Sequence, residues 1–175
     1  MNIPGATTKS EWETPQWLLQ GVRDALRISR FSLDPATSEK NPTGASWAVY
    51  PPMDGLQTNW DDHHWLWLNP PWGKSSPIKP WVEKFQTFKG CGTMLVPANT
   101  GSRWFHLLFT AENRLAFFKG RVNYVDPSTG LEVKGCPFDS CLVLRNWSAS
   151  QVGNLVDHLD VSIVSPIEWW KTTTL

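Results

Sequence analysis

The chain has 175 residues, 16 basic and 16 acidic side chains, and a formal net charge of zero. This length is enough for one domain with a substantial hydrophobic core. We therefore expect a single domain over residues 1–175, whose core covers roughly residues 11–145. The N-terminus lacks the apolar stretch of a secretory signal, and no apolar run approaches the roughly 20 residues of a membrane span. These features predict a cytoplasmic protein without membrane contacts, as a monomer or a weak homodimer.

The charges are unevenly distributed along the chain. Residues 1–68 carry 5 basic and 8 acidic side chains, residues 69–145 carry 10 and 5, and residues 146–175 carry 1 and 3. A basic segment of this kind is typical of a phosphate-facing surface, although an ordinary mixed surface gives the same count. The three cysteines lack the spacing of metal ligands, so we expect reduced, mostly buried thiols and no metal site.

Helices and strands alternate in the predicted order of elements. The first helix is expected to begin with Thr14 as N-cap and Pro15 at the first helical position. Apolar runs predict further helices around 81–88 and 104–110, and strands at 31–34, 47–50, 65–68, 93–97, 115–118, 141–144 and 161–164. The alternation predicts an α/β fold with an open, mostly parallel central sheet.

Three polar or turn residues fall at the carboxyl ends of predicted strands, namely Asp34, Asn69 and Pro97. Because ligands of open α/β sheets bind beyond these ends, we expect three loops to converge on one cleft. The Asp34 carboxylate can accept a hydrogen bond from an ammonium or a hydroxyl, or it can simply cap the turn that follows. Asp54-Gly55-Leu56 is either a second contact or only a tight turn.

The turn Asn69-Pro70-Pro71-Trp72-Gly73 follows the apolar run at 65–68. Each proline fixes its own φ and lacks an N–H, so local hydrogen bonds do not consume the carbonyls of the turn. The Asn69 side-chain oxygen and the Pro70 carbonyl can converge on one NH2 group, while the Trp72 ring offers a flat face. The turn fits an exocyclic amine on a planar ring, such as N6 of adenine. A purely structural turn is the alternative.

These motifs, taken in order, resemble those of the phage-type DNA N6-adenine methyltransferases, a Dam-like family of small S-adenosylmethionine-dependent enzymes. The resemblance covers most of residues 11–145 and is carried by Glu11-Trp12-Glu13-Thr14-Pro15-Gln16-Trp17, Leu33-Asp34-Pro35-Ala36, Asp54-Gly55-Leu56, Asn69-Pro70-Pro71-Trp72-Gly73, Trp81-Val82, Leu95-Val96-Pro97-Ala98, Arg103-Trp104-Phe105 and Phe117-Phe118-Lys119-Gly120-Arg121. It implies a Rossmann-like methyltransferase fold and a role in protecting phage DNA against restriction.

The resemblance also implies which residues contact the methyl donor, S-adenosylmethionine. Thr14 and Pro15 are expected at its methionine end, and Asp34 at its ammonium. Asp54 and Leu56 are expected at its ribose or adenine. The donor set is therefore Thr14, Pro15, Asp34, Pro35, Ala36, Asp54 and Leu56.

DNA is the partner that the resemblance implies. The base is expected at Asn69, Pro70, Pro71 and Trp72 after it flips out of the duplex, with Trp72 replacing the lost stacking. The expected phosphate or base contacts are Lys74, Arg103, Lys119 and Arg121, with surface ion pairs as the alternative for the two arginines. The long loop at 120–137 is the expected sequence-reading element.

Two other kinds of function remain open from the residues alone. The same turn also suits a guanine amine or cytosine N4, in RNA or DNA, or the amide of a protein glutamine. The 12 tryptophans would also suit a noncatalytic module that binds single-stranded DNA by stacking.

Overall fold

The computed structural model describes residues 12–71 and 77–165. Within these ranges the helices are α1 (Gln16–Leu26), α2 (Lys79–Thr87), α3 (Arg103–His106) and α4 (Ala149–His158). The strands are β1 (Leu33–Asp34), β2 (Trp47–Ala48), β3 (Trp65–Leu68), β4 (Cys91–Pro97), β5 (Asn113–Phe118), β6 (Ser140–Arg145) and β7 (Val161–Val164).

The strands form one seven-stranded mixed sheet in the order β2-β1-β3-β4-β6-β5-β7. The pairs β1–β2, β1–β3 and β3–β4 are parallel. The pairs β4–β6, β5–β6 and β5–β7 are antiparallel. The α/β class is confirmed, but the prediction of a mostly parallel sheet is not, because β6 runs in the opposite direction between β4 and β5. An antiparallel neighbour needs no crossover helix, and a long loop joins β5 to β6 instead.

Apolar side chains alternate between the two faces of the sheet. Trp67 and Leu95 face a core shared with α1 and α4. Leu66 and Leu68 face a second core that includes α2 and Phe105 of α3. Both faces of the central strands are therefore covered by helices, which explains why β3 and β4 read as continuous apolar runs.

The ends of several elements differ from their predicted positions. Pro15, rather than Thr14, is the N-cap of α1, and no side chain caps this helix. Helix α3 ends at His106, earlier than expected. Helix α4 had not been predicted, although Ser148 and Gln151 form a capping box that the sequence Ser-Ala-Ser-Gln contains.

Three further features of the described part of the chain bear on the sequence predictions. Cys91, Cys136 and Cys141 are free and buried, as expected. No described helix is both long and apolar enough to span a membrane. Among the same residues, no three histidine, cysteine or acidic side chains are grouped so that they could hold a metal ion.

The topology places a crevice at the carboxyl end of β1. Strand β2 lies on one side of β1 and β3 on the other, so the chain leaves β1 toward one side and returns on the opposite side. In an open α/β sheet such a switch point is where ligands bind. Asp34 ends β1 and Asn69 follows β3 directly, so both lie at this crevice.

Candidate functional site

A cleft of about 870 Å³ opens at the carboxyl ends of β1 and β3. We call it the donor cleft, after the methyl donor that the sequence predicts at these strand ends. Its lining comes from the segment before α1, from the loop after β1, from residues 49–55, from the end of β3 and from the loop between β5 and β6. Of the residues predicted at the donor, the cleft is lined by Thr14, Asp34, Pro35, Ala36 and Asp54. The volume falls within the range of small-molecule sites.

Two of the residues predicted at the donor have other positions. The Pro15 carbonyl accepts hydrogen bonds from the main-chain N–H groups of Leu18 and Leu19, so it begins α1. The Leu56 side chain packs against the core on the α2 face. Neither is among the described residues that line the donor cleft.

The Asp34 carboxylate is 2 % exposed and is held by two hydrogen bonds. The main-chain N–H of Ala36 donates to Oδ1 over 3.1 Å, and the Thr43 hydroxyl donates to Oδ2 over 2.9 Å. Burial raises the pKa of this carboxyl from 3.8 to about 6, against the opposing effect of its hydrogen bonds. Asp34 thus caps the turn that follows β1, and it is also a buried acid that lines the cleft. A nearby cation would stabilise the charged form of such an acid.

The loop that carries Asp54 is fixed against the loop after β1. A side chain at Gly55 would place its Cβ 1.8 Å from the Pro35 carbonyl oxygen, so only glycine allows this approach. The Trp60 indole donates to the Gly55 carbonyl over 2.9 Å. The Lys84 ammonium donates to the carbonyls of Leu56 and Thr58 and lies 4.8 Å from the Trp60 ring centre. Lys84 is one of the 10 basic residues in 69–145, and these contacts tie it to the Asp54 loop.

Asn69 is partly buried, and its side-chain nitrogen donates to the main-chain carbonyl of Trp12 over 3.2 Å. A carbonyl can only accept, so this contact assigns the amide nitrogen to Trp12 and leaves Oδ1 as the acceptor on the other side. Asn69 and Pro71 line the donor cleft, and Pro70 is buried. Trp72 and Lys74 lie outside the described residues.

A second cleft, of about 590 Å³, lies at the carboxyl end of β4. Its lining includes the aromatic side chains of Trp104 and Phe138 and the polar side chains of Asn99 and Asp139. Because β3 and β4 are neighbours in the sheet, the two clefts open at the same edge. Sequence analysis had identified Pro97 at this edge but not the cleft itself.

The basic residues predicted at DNA all lie on the surface where they are described. Lys119 forms an ion pair with Asp160 at 2.9 Å, and Arg121 forms one with Asp139 at 3.4 Å. Arg103 is exposed at the start of α3. Exposed ion pairs are weak, so those of Lys119 and Arg121 are compatible with phosphate binding as well as with a structural role.

The loop at 120–137 partly belongs to the donor cleft. Val125 forms a bridge with Glu13 and another with Glu132, and Pro127 and Ser128 line the cleft. The Lys40 ammonium donates to the Pro127 carbonyl over 2.9 Å. No role at the cleft had been predicted for Trp12, Thr43, Pro127 or Ser128. Trp12 and Pro127 contribute main-chain carbonyls to contacts across more than 50 positions. Thr43 contacts Asp34 across only 9 positions, but it lies in a turn-rich segment whose pattern does not single it out.

A family model described as DNA N-6-adenine-methyltransferase (Dam) matches residues 4–165. The chain belongs to the Dam family. Membership implies DNA adenine-N6 methyltransferase activity and a DNA substrate, and methyltransferases of this kind normally use S-adenosylmethionine. No curated protein and no solved structure matches the chain.

In this Dam family member, replacing Asp34 with Asn is expected to raise the free energy of unfolding near pH 8 by about 1–3 kcal/mol. The reason is that a pKa difference of about two units corresponds to roughly 3 kcal/mol. The folded carboxyl takes up its proton near pH 6 and the unfolded one near 3.8, so the wild type gains stability as the pH falls through this window. Urea denaturation of both proteins without ligand should show that the difference between their free energies of unfolding shrinks from pH 8 to pH 4. A variant that is less stable than the wild type at pH 8 would contradict a cost of burying the Asp34 charge.

Replacing Gly55 with Ala is expected to lower the free energy of unfolding by about 1–3 kcal/mol, because the loop must move away from Pro35. Gly101→Ala is the matched control, since nothing lies within 4 Å of a Cβ at that position. Thermal and urea unfolding of the three proteins measure the effect. Equal stability of the two variants would show that the loop does not depend on this approach.

Proposed function

We propose that this protein transfers a methyl group from S-adenosylmethionine to N6 of a flipped adenine in DNA, with the donor in the donor cleft and the base beside Asn69. The observation that carries the proposal is the pairing of β1 with β3, which brings a buried carboxylate and an oriented amide to one cleft. The same proposal predicts that the fold is Rossmann-like, that the protein is of phage origin and that methylation protects DNA against restriction.

The charge of the donor cleft supports a cationic ligand. Four carboxylates line it, from Glu13, Asp34, Glu39 and Asp54, whereas no lysine, arginine or histidine is among its described lining residues. S-adenosylmethionine carries a sulfonium and an ammonium against one carboxylate, and it supplies an electrophilic methyl group. Asp34 would hold the ammonium, Thr14 would lie near the methionine end, and Asp54 would hold the ribose or adenine.

Donor binding should therefore depend on the protonation of Asp34. The ionised carboxylate is the form that binds an ammonium, and its pKa of about 6 means that affinity weakens as the pH falls below this value. Asp34→Asn should lose most of the donor affinity above about pH 6, and its affinity should approach that of the wild type as the pH falls below this value. The same substitution that relieves the burial cost would thus remove the function, as at many sites built at the expense of stability.

The orientation of Asn69 supports a role at the target amine. With Nδ2 donating to Trp12, Oδ1 is the atom of this amide that would accept one N6 hydrogen, and the Pro70 carbonyl would accept the other. Both contacts favour a tetrahedral nitrogen whose lone pair points at the methyl group. The new N–C bond forms as the S–C bond breaks, the sulfur leaves as a neutral thioether, and the cationic N6 then loses a proton. Positioning and charge placement are the proposed sources of catalysis.

The second cleft supports the proposed position of the base. It opens at the end of the strand beside β3, and Trp104 and Phe138 offer aromatic faces of the kind on which an extruded base stacks. Lys74, Arg103, Lys119 and Arg121 remain the proposed phosphate contacts. The loop at 120–137 remains the proposed sequence reader.

Asn69→Ala is expected to lower the methylation rate by about 10²–10³, the effect of removing one oriented polar group from a transition state. Donor affinity should change by less than about threefold, since Asp34 remains. Asn154→Ala is a matched control, because Asn154 also donates to a main-chain carbonyl over 3.2 Å but lies on α4. Unmethylated DNA incubated with the donor is digested, and its nucleosides are identified by mass spectrometry.

Each product of this assay has a distinct meaning. N6-methyldeoxyadenosine from wild type and Asn154→Ala, but barely from Asn69→Ala, supports the reaction and the role of the turn. N4-methylcytosine would keep the chemistry and change the base. Wild type that binds the donor but methylates neither base would contradict the proposal and direct attention to RNA or protein substrates.

Trp104→Ala is expected to raise the KM for DNA or lower kcat by about 10-fold or more, because stacking contributes about 1–3 kcal/mol per base. Trp47→Ala is the control, since Trp47 is 53 % exposed and lies on the edge strand β2, three positions from β4 in the sheet. Steady-state methylation with both substrates varied separates the two effects. Equal kinetics for the two variants would exclude the second cleft as the base site.

A further inference from the structure

The hydrogen bond from Asn69 to Trp12 poses a problem of orientation. A side-chain amide presents an acceptor on one side and a donor on the other, and turning it over exchanges the two. A reversed Asn69 would present its NH2 group to the N6 hydrogens and would lose the contact that the proposed reaction needs. The position of the Trp12 carbonyl therefore decides whether Asn69 can act.

The Trp12 side chain is held by two other aromatic rings. Its ring centre lies 6.0 Å from that of Tyr124 and 6.4 Å from that of Phe138, and the rings of Tyr124 and Phe138 are 5.8 Å apart. Contacts at these distances, tilted or offset, are favourable between aromatic side chains. The three rings form one cluster, which we call the aromatic buttress.

The main chain beside Trp12 is held as well. The N–H of Glu13 donates to the Val125 carbonyl and the N–H of Val125 donates to the Glu13 carbonyl, each over 2.9 Å. These two bonds make a short antiparallel bridge between the start of the described chain and the loop after β5. Together with the rings, they restrict the peptide that carries the Trp12 carbonyl.

Tyr124 connects the aromatic buttress to the sheet. It is 2 % exposed, and its hydroxyl shares a 2.9 Å hydrogen bond with that of Ser140. Burial raises the pKa of the Tyr124 phenol, so the group is neutral. Ser140 begins β6 and pairs with Pro97, the last residue of β4, so the bond reaches the strand next to β3. Tyr124 itself is not among the described residues lining either cleft.

We propose that Trp12, Tyr124 and Phe138 are positioning residues, which fix the Asn69 amide in the orientation that accepts from the target amine. This inference rests on the proposed function and adds a second role for the loop at 120–137. The loop would hold the amide at the site of methyl transfer as well as approach DNA. Displacement of reacting groups by about 1 Å can lower the rate about 100-fold. Loss of a ring from the aromatic buttress should therefore lower kcat.

Tyr124→Leu tests the proposal because it removes a ring from the cluster without changing the lining of either cleft. We expect kcat to fall by about 10- to 100-fold, whereas the donor Kd and the KM for DNA change by less than about threefold. Tyr124→Phe keeps the ring and loses only the hydroxyl, so it should retain kcat within about threefold of wild type. Phe88→Leu is the control for a lost buried ring, since Phe88 packs on the opposite face of the sheet.

A second readout follows the amide directly. In the 15N-edited NMR spectrum of the protein without ligands, the Asn69 NH2 signals, identified by their loss in Asn69→Ala, should be well separated in wild type and in Tyr124→Phe. In Tyr124→Leu they should move toward the positions of a free amide. If Tyr124→Leu does not fold, Phe138→Leu with the same amide readout takes its place.

The outcomes separate the two levels of inference. Normal kcat and unchanged Asn69 signals in Tyr124→Leu would overturn the aromatic buttress while leaving the proposed function intact. Equal losses of kcat in Tyr124→Leu and Phe88→Leu would also overturn it, because a general loss of stability would then explain both. A wild type that makes no methylated base would contradict the proposed function, whereas the NMR comparison would still test the buttress.

Discussion

The pairing of β1 with β3 is the contact on which the site depends. Leu33 pairs with Leu66, so Asp34 and Asn69 emerge at the same edge of the sheet although 35 positions separate them. The strands are short, and their side chains are locked between the two apolar cores, which fix the register because a slip of one residue would exchange the two faces. A buried carboxylate and an oriented amide then share one cleft without any direct contact between them.

Burial of Asp34 is a cost that the fold accepts at this cleft. Burial raises its pKa to about 6, because its hydrogen bonds replace only part of the hydration that the carboxylate has lost. Neutral Asn would satisfy Ala36 and Thr43 without a buried charge, so the folded chain alone gives no reason for an acid here. A cation bound in the donor cleft, as proposed above, would give the acid a reason, and the acidic lining of the cleft agrees with this proposal.

Local sequence patterns predicted most strands because an apolar run bounded by turns is visible without tertiary information. The run at 65–68 coincides with β3, and the last strand was expected at the residues of β7. The direction of β6 could not be predicted from its apolar pattern, which is the same for either direction. Asp34 and Asn69 could be proposed from the sequence because they lie at the ends of predicted strands. The Trp12 main-chain carbonyl, which accepts from Asn69, could not, because no residue pattern reports it.

Because β6 is antiparallel to β5, the loop that joins them stays at one edge of the sheet, which a purely parallel sheet would not allow. Strand β5 ends at the same edge as β1 and β3, and β6, running in the opposite direction, begins at that edge. The whole loop between them therefore stays beside the two clefts instead of crossing the sheet. This explains how one loop can line the donor cleft at Pro127, reach the second cleft at Phe138 and support Trp12 through Tyr124. Length in this loop is useful because both of its ends are anchored where the proposed chemistry occurs.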